Sequence, residues 1–184
     1  MGSGHGKLET VRLTVLGCSG SVVGPASPAS GYLVTAPDTA PAVIDFGGCV
    51  LVTLQRYADP NSVNVLLSHL HADHCLDLPG LFVWRRYHPR PATERGLMYG
   101  PANTWARLGA ASSPEAGDID DFSDIFDVRH WEDGRAAAAA GGGELLLTHI
   151  PPWTSREDVI SEAKAEFDGP VHAVVCGEAF DVSR

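Results

Sequence analysis

The feature that most restricts this chain is a run of ligand-type side chains packed into six residues at the end of an apolar strand, His69-Leu70-His71-Ala72-Asp73-His74. Val63 to Leu67 is a nearly continuous apolar segment that reads as a buried strand. Leu76 to Tyr87 has helical spacing, with Pro79 tolerated in a first turn. A strand and a helix thus anchor both sides of the run, as rigid presentation of a site requires. On extended backbone, residues two apart face the same way, so His69 and His71 can offer both imidazoles to one ion. Asp73 and His74 follow the turn into the helix and can point at a second position nearby, which suits a two-metal centre. A solvated polar loop is the alternative, but an H-x-H-x-D-H pattern at a strand end is specific.

The flanking sequence supplies the frame. Thr10 to Leu16 alternates apolar and polar residues and meets Gly17-Cys18-Ser19-Gly20-Ser21, a strand delivered into a tight glycine loop. Gly31 to Ala36 and Ala42 to Phe46 predict a hairpin whose second strand stops at Asp45-Phe46-Gly47-Gly48. Asp45 could brace the ligand loop as a hydrogen-bond acceptor or simply form the turn. Helices are expected over Val50 to Ala58 and Asn103 to Ala110, with strands over Leu97 to Tyr99 and Asp127 to Trp131. Glu144 to Ile150 is a further strand ending at His149, a natural additional ligand, although a strand-terminal histidine taken alone is more often packed or solvated. A Ser155 to Asp158 capping box opens a helix through Phe167, and Val171 to Cys176 is the final strand. Arg135 to Ala140 before Gly141-Gly142-Gly143 reads as the tail of an alanine-rich helix with almost no helix ahead of it, so a piece of the pattern is missing there.

With 184 residues and 44% hydrophobic content, the chain can bury one core, and a single domain over 1–184 is expected. No apolar run approaches the roughly 18 residues of a membrane span. Lys7, Glu9 and Arg12 interrupt the start too closely for a signal peptide. The four cysteines are scattered, with no C-x-x-C pair, so neither a disulfide framework nor a thiolate knuckle is implied, and a cytoplasmic setting fits best. A formal charge of −10 disfavours general polyanion binding, so any phosphate ester must be drawn in locally. Trp84-Arg85-Arg86-Tyr87-His88-Pro89-Arg90 could hold a nucleotide phosphate or base, or be a helix end whose cations complement the dipole, with Trp84 and Tyr87 packed inward. The acidic run Asp118, Asp120, Asp121 and Asp124 lacks calcium-loop spacing and reads as a solvated loop. Cys75 is expected to pack inward.

HLHADHCLDLPGLF, from His69 to Phe82, resembles the ribonuclease Z-like branch of the metallo-β-lactamase superfamily. Within that branch the chain is similar to bacterial cyclic-nucleotide phosphodiesterases, from VLGCSGSVVGP, GYLVTAP and VIDFGG through SHLHADHCLDLPGLFVWRRYHP and SDIFDV to LLLTHIPPWTSREDVISEAKAEFDGPVHAVVC. The resemblance implies an α/β fold, an αβ/βα sandwich that is incomplete in its second half, and a hydrolase that cleaves phosphodiesters with a metal-bound hydroxide. It implies two Zn2+ ions, with Mn2+ or Mg2+ as alternatives. Carried over by position, His69 and His71 match ligands of a first metal, and Asp73, His74 and His149 match ligands of a second, with Asp73 also catalytic. The family's mid-chain histidine and bridging Gly-Asp-Thr aspartate have no counterpart, and RAAAAAGGG stands between Gly134 and Glu144 instead. One metal position is therefore expected to be impaired, and His130 or Asp133 would be the only nearby substitutes. The expected substrate is a small nucleotide phosphodiester, with RNA 3′ ends or a non-catalytic remnant as alternatives, no membrane partner, and a homodimer allowed.

Overall fold

The computed structural model describes residues 10–130, 144–166 and 169–182. The alanine-rich helix tail expected near Arg135 to Ala140, together with Trp131 and Asp133, lies outside them. Strands β1 (Val11–Gly17), β2 (Gly31–Thr35), β3 (Ala42–Ile44), β4 (Asn64–Leu66), β5 (Gly96–Gly100), β6 (Phe126–His130) and β9 (Ala179–Val182) form a seven-stranded sheet in the order β6-β5-β4-β3-β2-β1-β9. Strands β7 (Leu145–Leu147) and β8 (Val171–Ala173) pair in parallel as a second, two-stranded sheet. From β3 to β6 the large sheet is parallel, and β1 shares that direction through two antiparallel steps. The C-terminal ends of β1, β3, β4, β5 and β6 therefore open on one edge, where ligand sites of such sheets form.

Period-two alternation divides the sheet into two faces. Leu16, Leu33, Val43, Val65, Met98 and Phe126 are buried on one face, against Val50 and Leu54 of α1 (Val50–Leu54), Leu78, Leu81 and Phe82 of α3 (Leu78–Tyr87) and Leu108 of α4 (Thr104–Ser112). On the other face Val15 and Cys18 meet Val174, with Tyr32, Leu146 and Phe180 packed around them. Helix α5 (Arg156–Glu166) packs against β8. The layers run helix, sheet, sheet, helix, which is the αβ/βα sandwich. Its second sheet reaches only the β1 side. The cross-strand row Tyr32, Ile44, Leu66 and Tyr99 on that face is accordingly half-buried.

Several elements differ from expectation. The helix expected over Leu76 to Tyr87 is preceded by a separate turn of helix, α2 (Ala72–Cys75), and α1 stops at Leu54 because the chain tightens into turns there. The final strand ends at Ala173, and β9 follows it, unanticipated: four residues with no periodic signal, held at the sheet edge by pairing to β1 and by Arg12 Nε to Asp181 at 2.9 Å. Tyr87 is 74% exposed instead of packed inward, since it falls on the outer face of α3. The acidic run is not merely solvated. Arg86 binds Asp120 at 2.9 Å and Asp124 at 2.8 Å, which holds the Asp124 carboxyl below its usual range and removes Arg86 as a free phosphate ligand.

Arg85 is 1% exposed and serves the core, not a ligand. Its guanidinium donates to the carbonyls of Asn61 at 2.6 Å and Glu94 at 2.8 Å and lies 4.7 Å from the Phe126 ring centroid. Arg85→Met would leave these part-buried carbonyls without their donor and remove the buried guanidinium, so we expect a loss of about 3 kcal/mol, read from the urea unfolding midpoint. A change within about 0.5 kcal/mol, as at ordinary surface positions, would show that water replaces the guanidinium.

Candidate metal centre

The ligand run leaves β4 at the open edge of the sheet. The parallel register Ile44 to Leu66 sets the residue after β3, Asp45, opposite Leu67, from where its side chain reaches the residue that precedes the first histidine, Ser68. Asp45 accepts from the Ser68 N–H at 2.8 Å, from the Ser68 hydroxyl at 2.7 Å and from His74 Nδ1 at 2.8 Å. The carboxylate is thus a clasp between the loop and the start of α2. It assigns the proton of His74 to Nδ1, which leaves Nε2 as a lone-pair donor. With the Ser68 proton committed to Asp45, Ser68 Oγ accepts from His69 Nδ1 at 3.0 Å.

Asp73 lies in the first turn of α2 and accepts from the Ser21 N–H at 2.8 Å. Burial draws its pKa up, but its own backbone N–H, the His74 charge and the Ser21 N–H outweigh that, so the carboxyl sits below its usual range. His149 arrives from the other side of the sandwich. Gly20 N–H donates to Ile150 C=O at 3.2 Å, and a Cβ at Gly20 would lie 2.4 Å from the His149 carbonyl, so only glycine permits this approach. A Cβ at Gly47 would likewise meet the Asp73 carbonyl at 2.0 Å, which explains the glycine after Asp45-Phe46.

Among the described residues, Asp73, His74 and His149 bring ligand atoms within 4.8 Å of one another. Asp73 Oδ2 is 3.5 Å from His74 Nε2 and 3.6 Å from His149 Nε2. His69 and His71 stand next to this group, with His69 Nε2 3.1 Å from His71 Nδ1 and the His69 ring 3.9 Å from the His74 ring. Burial and then the neighbouring His74 charge keep the His69 pKa low, favouring its neutral form. Two imidazoles and a carboxylate, with the His74 tautomer already set, match the donor preferences of zinc and similar divalent ions. Ser21, Asp45 and His149 all hold positive φ, at 63°, 57° and 60°, so backbone strain is concentrated around the cluster. His130 Nδ1 donates to the Pro101 carbonyl at 3.2 Å, which accounts for its ring without a metal. Local pattern carries no sign of Ser21 as a site residue, because it acts through a contact with a distant loop.

The profile of the metallo-beta-lactamase superfamily matches residues 24–156. An uncharacterized protein of Mycobacterium leprae is 54% identical over 261 aligned positions, which take in 98% of this chain and 92% of that protein. Because 261 positions exceed the chain's 184 residues, at least 77 of them are internal gaps in this chain. The probable metallo-hydrolase YhfI of Bacillus subtilis is 24% identical over 240 positions, 91% of this chain and 98% of that protein. Its crystal structure superposes with a TM-score of 0.76 at 18% identity, over 94% of this chain and 100% of that chain. A diphosphatase from the PhnP family gives 0.68 at 13% identity, over 94% of this chain and 98% of that one. These two structures speak to the fold, and the profile and the M. leprae protein to the lineage: the chain belongs to the metallo-beta-lactamase superfamily.

Proposed function

We propose that this chain is built as a divalent-metal-dependent phosphodiester hydrolase, with a cyclic nucleotide of the cAMP type as its substrate class. The observation that carries this reading is the convergence of Asp73, His74 and His149 from two distant stretches of sequence. His74 and His149 would hold an ion through Nε2 and Asp73 through Oδ2, with His69 and His71 as the neighbouring pair for a second ion. A divalent ion there supplies Lewis acidity, polarising a phosphoryl oxygen and easing deprotonation of water near neutral pH. Asp73, kept ionised, orients the attacking water by accepting its hydrogen bond. Asp45 keeps His74 in one tautomer, and the Ser21 N–H fixes the Asp73 carboxylate in place. Small substrates are favoured over RNA, because the net charge is −10 and Arg85 and Arg86 are both engaged within the protein.

A second reading has its own support: His69 and His71 face each other without a third ligand among the described residues, as a single-metal, non-catalytic descendant would. Purified protein separates the two. Zinc or manganese titration followed by cleavage of bis(p-nitrophenyl) phosphate and 3′,5′-cyclic AMP is expected to show metal-dependent turnover that His71→Ala and Asp73→Ala each reduce at least about 100-fold. Ion binding without turnover would favour the non-catalytic reading, and turnover indifferent to Asp73→Ala would sink the assignment of the site.

A further inference from the structure

We infer that a chain of hydroxyls, Ser30, Tyr32 and Thr148, fixes the tautomer and direction of His149 and so makes Ser30 a positioning residue of the site. The inference rests on the metal-binding reading above. Ser30 is fully buried, and its Oγ lies 3.0 Å from His149 Nδ1. Its backbone is tied to both halves of the ligand frame, since its N–H donates to the Asp73 carbonyl at 3.2 Å and its carbonyl accepts from the Gly47 N–H at 3.0 Å. Tyr32, two residues on in β2, hydrogen-bonds the Thr148 side chain, and the Ser30 hydroxyl is near enough to its phenol to favour the ionised form. Thr148 immediately precedes His149, so the chain of hydroxyls returns to the residue it orients.

The need for such a device follows from how His149 is held. Its side chain is 42% exposed, so packing alone holds its ring only weakly. A neutral imidazole can ligate through Nε2 only when Nδ1 carries the proton. Ser30 Oγ can accept that proton's hydrogen bond when its own proton turns toward the Tyr32 phenol oxygen, with the phenol in turn donating to Thr148. In this arrangement Nε2 is left facing Asp73 and His74. Asp45 does for His74 what Ser30 does here, with a hydroxyl in place of a carboxylate.

The test uses the intact chain, first without metal. Two-bond 1H–15N spectra should show His149 predominantly as the Nδ1–H tautomer in the wild type and as a mixture rich in Nε2–H in Ser30→Ala. Zinc titration by calorimetry should then show affinity 10- to 100-fold weaker in Ser30→Ala, the usual range for losing such a partner. Tyr32→Phe, which keeps the ring and the packing, should shift both readouts in the same direction but less. If Ser30→Ala keeps the Nδ1–H tautomer and full zinc affinity while Asp73→Ala loses it, the inference is overturned and the metal site stands. If the wild type binds no zinc, the metal reading fails instead, and the metal-free tautomer alone decides whether Ser30 orients His149. An Ser30→Ala chain that unfolds leaves the decision to Tyr32→Phe, whose unchanged tautomer would also overturn it.

Discussion

Asp45→Ala should cost about 4 kcal/mol of folding stability, near the upper range for removing one partner from a buried, hydrogen-bonded polar group. It should also weaken zinc binding by about 10- to 100-fold. Three donors converge on this carboxylate, which is 4% exposed. Without it the buried His74 Nδ1–H is left unpaired and the Ser68 N–H loses its acceptor, and His74 is free to adopt the tautomer that cannot ligate through Nε2. Asp45→Asn separates the two effects. The amide oxygen can still accept from Ser68, while its NH2 group facing His74 Nδ1 reverses the polarity there. Most of the stability should therefore return in Asp45→Asn while zinc affinity stays low. Urea unfolding and calorimetric titration on the same samples read both. Equal recovery of stability and affinity in Asp45→Asn would show that the carboxylate acts by packing alone.

Much of this arrangement could be read from local pattern, and the part that could not has a common cause. Strand alternation was enough to place His69 and His71 side by side, and the strand, loop and helix order was enough to anchor them. The helices of the large core were legible from apolar spacing, because α1, α3 and α4 each present a buried stripe to one face of the sheet. What local pattern does not carry is register between distant strands. The pairing of Ile44 with Leu66 decides that Asp45 meets Ser68, and nothing in either segment states that offset. Ser30 and Ser21 share the problem: each is an ordinary small polar residue until the approach of His149 or Asp73 gives it a partner. Strand β9 was missed for the opposite reason, since it is an edge strand stabilised by β1 and needs no pattern of its own.

The largest gain should come from restoring what the relatives carry. We propose that their additional internal residues belong between His130 and Glu144, where β6 ends at the open edge and β7 begins the second sheet. Beyond Tyr32, which already meets the second sheet at Leu146 and Thr148, the row continues through Ile44, Leu66 and Tyr99 on the part of this face that the two-stranded sheet does not cover. Further strands laid on these three residues would complete their burial, at about 1 kcal/mol for each half-buried side chain, or about 3 kcal/mol in all. A chimera carrying the M. leprae protein's internal segment at this junction should therefore unfold at higher urea by that amount. The same segment is where the family's mid-chain histidine and bridging aspartate are expected, so zinc stoichiometry should rise from one to two per chain. The two readouts are independent, because apolar cover acts on the row and new ligands act at His69 and His71. A chimera with a second zinc but unchanged stability would place the missing strands elsewhere. One that is stabilised yet still binds a single zinc would mean that the His69 and His71 pair has ceased to be a site in this lineage.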